Sequence, residues 1–307
     1  MKAIAYSEFG SAHVLHLTDL PDPHIGSDAV VVKVEAAGVN PVDYKVREGH
    51  LAGLLDTVFP VVPGWDVAGT VVAVGLDTPE LQVGDAVMAY ARKDVVSGGT
   101  LAELVQVPVR TAARKPDALS FVEAAALPLA GLTALQSIRR AGVAAGQHVL
   151  VHGAAGGVGS LAVQLLVHQG AHVVGTASEG NHDYLRALGA TPVAYGEGLA
   201  DRALAVVPEG FDVVLDYVGG AAIDATPALL AEGGTVVSVA DPRARTELGG
   251  HYVWVRPDAA DLAELGALAA DGVLRLEIAE TFPLERAADA HRLVETGHVR
   301  GKVVVTV

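Results

Sequence analysis

The chain has 307 residues, of which 51% are hydrophobic and 19% charged, and it carries a formal net charge of −15 without a single cysteine. The chain is longer than a domain with a single hydrophobic core typically is, so two domains are expected. A negative field of this size repels nucleic acids and anionic membranes and argues against both as partners. The lack of cysteine excludes disulfides, thiol nucleophiles and thiolate metal sites. No apolar stretch reaches the ~18 residues of a membrane span, and the first residues lack the apolar core of a signal peptide, so a cytoplasmic protein is expected.

The first part of the chain, to about residue 115, is predicted to be rich in short β-strands. The runs VVVKVEAAGV (30–39), DVAGTVVAVG (66–75) and LAELVQVPV (101–109) are separated by Pro and Gly punctuation. Residues 121–142 have a helical composition, which Pro128 is expected to break or kink. The chain therefore begins with a predominantly β domain that a helical segment follows.

From residue 148 the pattern changes to apolar strands separated by helical or loop stretches. Strands are predicted at five places, 148–152, 172–176, 212–216, 235–239 and 251–255. This alternation predicts a parallel sheet covered by helices on both faces. After Gly272 a strand at 273–282, a helix at about 284–296 and the closing strand KVVVTV are predicted. Their β content favours a return of the chain to the first domain.

A glycine-rich turn joins the strand HVLVH to a helical stretch. It matches the G-x-G-x-x-G fingerprint of dinucleotide-binding turns, except that alanine replaces the first glycine. The glycines of such a turn permit a tight bend, close approach of a pyrophosphate and close packing of helix on strand, and the helix N-terminus attracts phosphate. The alternative is a merely structural turn. The strand–turn–helix context favours cofactor binding by Gly153, Ala154, Gly156, Gly157, Val158 and Gly159.

The end of the next strand is expected to select the coenzyme. NAD-dependent enzymes hold the ribose 2′-hydroxyl there with an acidic residue, about 20 residues after the turn. By register this position is Ala177, followed by Ser178, and such small residues admit the 2′-phosphate of NADPH. Glu179 could replace the missing acid but is expected to face solvent, with His182 and Arg186 as weak phosphate neighbours. The sequence therefore favours NADPH.

Seven motifs are spread in order along nearly the whole chain: AGVNPVDYKVREG (37–49), PGWDVAGTVVAVG (63–75), ALPLAGLTALQS (126–137), HGAAGGVG (152–159), LGA (188–190), DYVGG (216–220) and RGKVVV (300–305). Together they resemble the zinc-independent quinone oxidoreductases of the medium-chain dehydrogenase/reductase superfamily. The resemblance implies an α/β fold with a GroES-like β-barrel catalytic domain over 1–118, completed by 272–307. It further implies a Rossmann NADP-binding domain, a doubly wound parallel sheet, over 119–271. Such proteins are commonly homodimers joined by edge strands, here 251–255.

The resemblance also implies contacts to the cofactor outside the glycine turn. Thr133 matches a threonine near the nicotinamide, Tyr195 a tyrosine beside the adenine, and Lys302 belongs to a Gly-Lys pair near the active site. Val218 and Val239, at the ends of predicted strands, complete the predicted cofactor contacts. Structural alternatives are a helix residue bonded to its own backbone for Thr133, half-exposed packing for Tyr195 and a solvated strand lysine for Lys302.

The zinc alcohol dehydrogenases of the superfamily hold their metal with a cysteine and a Gly-His-Glu motif. This chain has Asn40 at the first place and Gly64-Trp65-Asp66 at the second, so no metal site is predicted. Without a metal Lewis acid, alcohol oxidation is disfavoured. The remaining chemistry is hydride delivery from NADPH to a quinone or an α,β-unsaturated carbonyl compound, which can delocalise the arriving charge.

The catalytic candidates lie in the stretch VNPVDYK. Asn40 is expected beside the nicotinamide ribose or the acceptor oxygen, although an Asn-Pro turn former is its structural alternative. Tyr44, Lys45 or a water molecule is expected to supply the proton. Typical quinone reductases of this group carry a tyrosine directly after the position of Tyr44, where this chain has Lys45, so the acceptor pocket differs. Two other functions stay open, an enoyl reductase serving a larger biosynthetic assembly and an NADPH-binding protein without turnover.

Overall fold

The computed structural model describes residues 1–307, which form two compact units. Unit 1 comprises Met1–Leu129, Pro257–Gly272 and Leu276–Val307, and unit 2 comprises Ala130–Arg256 and Val273–Arg275. None of the helices is both long and apolar enough to cross a lipid bilayer.

The chain contains seventeen β-strands, which are β1 (Lys2–Ala5), β2 (His16–Asp19), β3 (Ala29–Val39), β4 (Asp56–Thr57), β5 (Asp66–Val74), β6 (Ala86–Tyr90), β7 (Val95–Val96), β8 (Leu104–Pro108), β9 (Ala112–Arg114), β10 (His148–His152), β11 (His172–Ala177), β12 (Thr191–Ala194), β13 (Phe211–Asp216), β14 (Leu230–Ser238), β15 (His251–Tyr252), β16 (Ile278–Pro283) and β17 (Lys302–Thr306). Its ten α-helices are α1 (Pro41–Arg47), α2 (Phe121–Ala126), α3 (Pro128–Ala141), α4 (Gly157–His168), α5 (His182–Ala187), α6 (Leu199–Val206), α7 (Ala221–Ala225), α8 (Arg243–Thr246), α9 (Ala259–Ala270) and α10 (Ala287–Glu295). Short 3-10 turns occupy Ala12–Val14, Val109–Thr111, Glu179–Asn181, Thr226–Ala228 and Leu284–Arg286.

Unit 1 is built on a seven-stranded sheet in the order β16-β17-β3-β5-β6-β9, with β8 also paired to β3. The long strand β3 is central, which explains why nearly all of its side chains are buried on both faces. The last strand of the chain, β17, pairs antiparallel with β3, and β16 pairs parallel with β17. The C-terminal stretch therefore completes the sheet that the N-terminal residues begin.

Unit 2 is a six-stranded parallel sheet in the order β12-β11-β10-β13-β14-β15. Counted from β10 within the unit, this is the doubly wound order 3-2-1-4-5-6, which reverses between β10 and β13. Buried apolar residues such as Leu150, Val174, Phe211, Val214 and Val236 form its core. The predicted α/β class, with a doubly wound parallel sheet of the Rossmann type, is confirmed.

Two predicted strands are shorter than expected, and a glutamine side chain binds the backbone near each of them. The strand expected at 251–255 ends at Tyr252, with one more bond from the Val253 N–H to the Ser238 carbonyl, and just beyond it the Gln136 side chain bonds both the N–H and the carbonyl of Arg256. The strand expected at 273–282 begins only at Ile278, and the Gln164 side chain bonds both backbone groups of Arg275. In these places side-chain amides, and not a neighbouring strand, satisfy the backbone N–H and carbonyl groups.

The units differ from the domain bounds drawn from the sequence, which put both α2 and α9 into the second domain. The buried alanines of α2 lie against β3, where a side chain at Gly38 would come within 2.4 Å of the Ala125 carbonyl oxygen. On α9, a side chain at Gly266 would come within 2.5 Å of Met88. Both helices therefore pack closely on unit 1. As expected at Pro128, the helical segment is broken, because α2 ends at Ala126 and α3 begins at the proline.

Candidate functional site

The turn between β10 and α4 is shaped by glycines that leave no room for side chains. Gly153 has a positive φ of 70°, a conformation that favours glycine. A Cβ at Gly159 would lie 2.2 Å from the Gly153 carbonyl oxygen, so the third glycine of the fingerprint permits the helix to pack on the strand. Ala154, at the position of the first glycine, is fully buried, and its methyl group would lie 2.7 Å from a Cβ at Gly175 on β11. The alanine thus fits because the neighbouring strand has a glycine.

The N-terminus of α4 has the properties of an anion-binding site. Gly156 is its N-cap in an extended conformation, and no side chain caps the helix. Gly156, Gly157 and Val158 are half-buried. The first N–H groups of a helix have no partner within it, and the helix dipole adds a partial positive charge. In this half-buried turn these groups can bind the phosphates of a nucleotide.

The end of β11 presents small residues. Ala177 is buried, whereas Ser178 is exposed and its hydroxyl accepts a hydrogen bond from the Asn181 amide at 3.1 Å. Glu179 is exposed and begins a 3-10 turn. Of the two proposed phosphate neighbours, His182 is half-buried at the start of α5, and Arg186 forms an exposed ion pair with Asp183. The cation of Arg186 therefore already has a carboxylate partner.

Three further predicted residues follow strand ends of the same sheet. Tyr195 comes directly after β12 and is 57% exposed, Val218 follows β13 and is 59% exposed, and Val239 follows β14 and is half-buried. The carboxyl ends of parallel strands meet at one edge, so these residues share that edge with the glycine turn and Ala177. Thr133 does not follow a strand of this sheet. It lies on α3, where its side chain is buried and its backbone carbonyl accepts a hydrogen bond from the Ser137 hydroxyl.

In unit 1, Asn40 belongs to a buried polar cluster with Asp66 and Lys302. The Asn40 amide donates to Asp66 Oδ2 at 2.9 Å, and the Lys302 ammonium donates to Asn40 Oδ1 and lies 3.6 Å from Asp66 Oδ2. The second carboxylate oxygen of Asp66 accepts from the backbone N–H of Leu129 at 2.8 Å. Burial lowers the pKa of Lys302, while the carboxylates of Asp66 and Asp43 oppose this effect. Lys302, for which a solvated strand lysine was the alternative, is only 5% exposed.

Asp43 adds a second buried carboxyl group to this region. Its Oδ2 accepts from the backbone N–H of Asn40 at 2.7 Å, whereas its Oδ1 has no hydrogen-bond partner. Burial raises the pKa of Asp43 to about 7, and the carboxylate of Asp66 acts in the same direction against the ammonium of Lys302. This side chain can therefore hold or release a proton near neutral pH.

The other two catalytic candidates lie on the same helix. Tyr44 is half-buried, and burial raises the pKa of its hydroxyl, with a further increase from the carboxylates of Glu48 and Glu295. The phenol therefore keeps its proton at neutral pH. Lys45 is exposed. Asn40 directly precedes α1, and Tyr44 and Lys45 lie within this helix.

A fully buried arginine fixes α1. The Arg47 guanidinium donates to the Gly10 carbonyl at 2.9 Å and forms ion pairs with Glu48 at 2.9 Å and with Glu295 of α10 at 2.7 Å. His291 Nδ1 lies 3.2 Å from the same guanidinium, and burial together with the Arg47 charge lowers the pKa of His291 to about 3. The imidazole is therefore neutral and can accept from the arginine.

Sequence reasoning did not assign roles to Asp43 and Asp66. A signal existed for Asp66, because a carboxylate at the start of an apolar strand must find a partner if the strand is buried. For Asp43 the signal was its spacing in Asn40-Pro41-Val42-Asp43, since a side chain three residues after an N-cap can bond back to the cap N–H. Neither pattern identified Lys302 as the partner, because it lies 236 positions after Asp66, the difference of their residue numbers.

Comparison with known proteins agrees with this geometry. A family model described as "Alcohol dehydrogenase GroES-like domain" matches residues 26–117, and one described as "Zinc-binding dehydrogenase" matches residues 188–305. The chain is 38% identical to the 2-methylene-furan-3-one reductase of Solanum lycopersicum over 316 residues, covering 99% of this chain and 79% of the relative. The same identity and coverages hold for the chloroplastic NADPH-dependent alkenal/one oxidoreductase of Arabidopsis thaliana.

The fold is also similar over its whole length to a solved structure, the quinone oxidoreductase from Coxiella burnetii. The TM-score is 0.90 at 38% identity, and the match covers 100% of this chain and 99% of the other. This similarity extends the motif resemblance to the complete fold. The chain therefore belongs to the quinone oxidoreductase-like family of the medium-chain dehydrogenase/reductase superfamily.

Proposed function

We propose that this protein is an NADPH-dependent oxidoreductase that transfers a hydride to a quinone or an α,β-unsaturated carbonyl compound. The observation that carries the proposal is the turn after β10, where Gly159 excludes a side chain and α4 begins without a side-chain cap. Proteins similar to this chain are named as an NADPH-dependent alkenal/one oxidoreductase and as a quinone oxidoreductase, which supports the class of reaction.

The residues present at the sheet edge of unit 2 fit a dinucleotide. The half-buried Gly156, Gly157 and Val158 offer N–H groups to a pyrophosphate, and the position reserved for a ribose-binding acid holds the small Ala177. Ser178 is exposed beside it and can donate its hydroxyl proton to a 2′-phosphate. These features support NADPH as the coenzyme, with Tyr195, Val218 and Val239 as further contacts.

The residues of unit 1 do not fit the zinc site of the metal-dependent relatives, and we propose a zinc-independent reaction. The oxygens of Asn40 and Asp66 that a metal would use are bonded to the Lys302 ammonium or lie beside it. Trp65, at the histidine position of the zinc motif, is buried and packs edge-on against Tyr90, with ring centroids 6.1 Å apart. No group of three histidine or acidic side chains converges elsewhere in the chain.

The polar cluster of unit 1 is suited to stabilising negative charge. When bound, NADPH supplies the hydride, and the acceptor then carries an oxyanion. The Asn40 amide has two N–H donors, of which Asp66 takes one, and the second is proposed to donate to the acceptor oxygen. The Lys302 ammonium, bonded to the same amide, places a positive charge behind it. A preorganised donor of this kind in a buried setting stabilises a developing oxyanion.

The reduction also requires a proton, for which we propose Tyr44. Its hydroxyl is protonated at neutral pH, and the side chain is half-buried on the helix that begins after Asn40. Lys45, which is exposed, and water are the alternatives. The neutral form of the donor is the one that general acid catalysis requires.

Coenzyme consumption with a panel of acceptors tests the proposed function. We expect the purified chain to oxidise NADPH in the presence of quinones, enals or enones, and to do so more slowly with NADH. Binding of NADPH without consumption by any acceptor would favour the non-catalytic alternative, and consumption only with enoyl thioesters would favour an enoyl reductase. Stoichiometric bound zinc in active protein, lost together with activity on chelation, would contradict the metal-free mechanism.

The homodimer and the cytoplasmic location stay predictions. Light scattering of the purified chain tests the first, and fractionation of the source cells tests the second.

A further inference from the structure

Four buried polar side chains form a row across the carboxyl edge of the unit 2 sheet. Thr176, His152, Asp216 and Ser238 lie on the adjacent strands β11, β10, β13 and β14, and each is at most 3% exposed. His152 is in register with Asp216, and Asp216 with Ser238. On the other side, the Thr176 hydroxyl oxygen lies 3.4 Å from His152 Nδ1. We name these four residues the polar row.

Asp216 fixes the turn that follows β13. Its Oδ1 accepts from the backbone N–H groups of Val218 at 3.0 Å and Gly219 at 2.9 Å. Its Oδ2 accepts from the Ser238 hydroxyl at 2.6 Å. Two N–H groups of the turn are thus held by one carboxylate, and charge-assisted hydrogen bonds of this kind are stronger than neutral ones.

Ser238 does the same for the turn that follows β14. While its hydroxyl donates to Asp216, its oxygen accepts from the backbone N–H groups of Ala240 at 3.1 Å and Asp241 at 2.9 Å. One side-chain pair therefore accepts four backbone N–H bonds from two neighbouring turns, which the Asp241 carboxylate also links by accepting from the Gly220 N–H at 3.2 Å. The Thr176 hydroxyl accepts from the Gly153 N–H at 3.2 Å and so repeats this pattern at the glycine turn.

Stability alone does not explain the polar row. A buried carboxylate is costly unless it is compensated, and apolar strand ends would avoid that cost. His152 does not compensate the charge, because burial lowers its pKa, an effect that the Asp216 carboxylate only partly opposes. The oxygens of the Asp216 carboxylate instead accept hydrogen bonds from the turn after β13 and from the Ser238 hydroxyl. The residues that these bonds position, Val218 two places after Asp216 and Val239 directly after Ser238, are among the proposed cofactor contacts.

The topology indicates which part of the cofactor these turns face. A doubly wound sheet consists of two mononucleotide-binding halves, and the dinucleotide lies across the point where the strand order reverses. The half with β10, β11 and β12 contains the glycine turn and the ribose position Ala177, which belong to the adenosine side. The half with β13, β14 and β15 is left for the nicotinamide nucleotide.

We propose that Asp216 and Ser238 are positioning residues for the nicotinamide half of NADPH, because together they hold the turns after β13 and β14 in the shape that receives it. This proposal rests on the proposed function and deepens it. Neither side chain touches the cofactor in this scheme. Each acts through the backbone of the turn that it fixes.

Two ligands distinguish positioning from a general structural role. NADPH requires both halves of the sheet, whereas adenosine 2′,5′-bisphosphate contains only the adenosine side. We expect Ser238→Ala and Asp216→Asn each to raise the Kd for NADPH about tenfold, the effect of one lost hydrogen bond to a charged group. The Kd for adenosine 2′,5′-bisphosphate should stay unchanged, as measured by titration calorimetry on variants whose circular dichroism matches the wild type.

Thr226→Val is the matched control. Thr226 is fully buried in the same unit, and its hydroxyl donates to the Ala222 carbonyl at 2.9 Å and to no residue of the polar row. The control should leave both dissociation constants unchanged. An equal loss of both ligands in Ser238→Ala, or no loss of NADPH, overturns the proposal while leaving the proposed function intact. A wild-type chain that binds neither ligand overturns the proposed function and this inference with it.

If both variants fail to fold, hydrogen exchange of the wild-type chain decides. NADPH should slow exchange at the N–H groups of residues 218–219 and 240–241, whereas adenosine 2′,5′-bisphosphate should not. Equal protection of these four groups by both ligands, or protection by neither, would overturn the assignment of these turns to the nicotinamide half.

Discussion

The ammonium of Lys302 and the carboxylate of Asp66 lie 3.6 Å apart (Nζ to Oδ2), and both side chains are almost completely buried. Asn40 connects them, because its amide donates to the carboxylate and its oxygen accepts from the ammonium. Breaking a buried ion pair on one side leaves a charge without compensation, which costs more than the pair contributes. The cluster is therefore sensitive to the loss of either partner.

Replacing the lysine tests this cluster. We expect Lys302→Met to lower the free energy of unfolding by about 3–5 kcal/mol, because Asp66 is left buried without a cation. Lys33→Met is the control, since Lys33 is exposed and pairs with Glu35 at the surface, and it should leave stability nearly unchanged. Urea denaturation measures both. The double variant Asp66→Asn/Lys302→Met should recover part of the loss, and a double variant as unstable as the sum of the single ones would argue against direct coupling.

The raised pKa of Asp43 predicts a pH dependence of stability. The folded chain keeps this proton up to about pH 7, whereas an unfolded carboxyl loses it near 3.8. Between these values the folded state binds more protons, so stability falls as the pH rises, by at most about 1.4 kcal/mol per pH unit. Asp43→Asn should remove this slope and become progressively more stable relative to the wild type between pH 4 and pH 7.

Urea denaturation at several pH values measures the difference between the two chains. Asp77→Asn, at an exposed position, serves as the control for loss of a carboxyl group. A constant difference between Asp43→Asn and the wild type over this range would show that Asp43 is ionised throughout.

Substitutions at two glycines of the β10–α4 turn are expected to affect different properties, one the stability of the fold and the other the affinity for the cofactor. A methyl group at Gly159 would lie 2.2 Å from a backbone oxygen, whereas one at Gly156 would lie 3.4 Å from its nearest neighbour. We expect Gly159→Ala to lower the Tm by several degrees, and Gly156→Ala to melt like the wild type. Gly156→Ala should nevertheless bind NADPH at least tenfold more weakly, because its methyl group occupies the approach of the pyrophosphate. Unchanged NADPH affinity in this variant would show that the phosphates do not bind at this turn.

Coenzyme preference should change at the end of β11. Ala177→Asp introduces a carboxylate that repels the 2′-phosphate of NADPH and can accept from the ribose hydroxyl of NADH. We expect the ratio of kcat/KM for NADPH over NADH to fall at least tenfold. Glu179→Ala, at the neighbouring exposed position, is the comparison and should leave the ratio unchanged. The opposite pattern, in which only Glu179→Ala changes the ratio, would show that Glu179 contacts the ribose.

The proton donor can be identified by removing one hydroxyl. General acid catalysis contributes roughly 10²–10⁴-fold, so Tyr44→Phe should lower kcat by about two orders of magnitude without changing the Kd for NADPH. Lys45→Met, on the adjacent exposed position, should retain turnover. Stopped-flow measurement of NADPH oxidation gives both rates. Full activity of Tyr44→Phe would leave Lys45 or water as the donor.

Much of unit 2 could be predicted because its signals are local. A strand, a glycine-rich turn and a helix follow one another within about twenty residues, and the hydrophobic spacing shows which face each element buries. The position of Ala177 also follows from counting along the next strand. Strand ends were less accurate, since distant side chains bind the backbone there: the Gln164 side chain, 111 residues before Arg275, bonds both backbone groups of Arg275 inside the stretch predicted as a strand.

The polar contacts of the candidate sites required the fold. Asp66, Asn40 and Lys302 meet because β17 pairs with β3 and β3 with β5, and no spacing in the chain encodes that pairing. Asp216 and Ser238 stand in one row because β13 and β14 are parallel neighbours in register. Each residue alone looks like a strand residue with a polar side chain.

The amino-acid sequence by itself determined the α/β class, the glycine-rich turn between β10 and α4 and the absence of cysteine ligands, because each depends on residue identity and short-range spacing. Only the tertiary structure decided that Lys302 neutralises Asp66, that Asp43 is a buried acid and that Asp216 holds two turns with Ser238. Burial and the available hydrogen-bond and ion-pair partners set the free energy of a charged group, and both depend on residues that are distant in the chain.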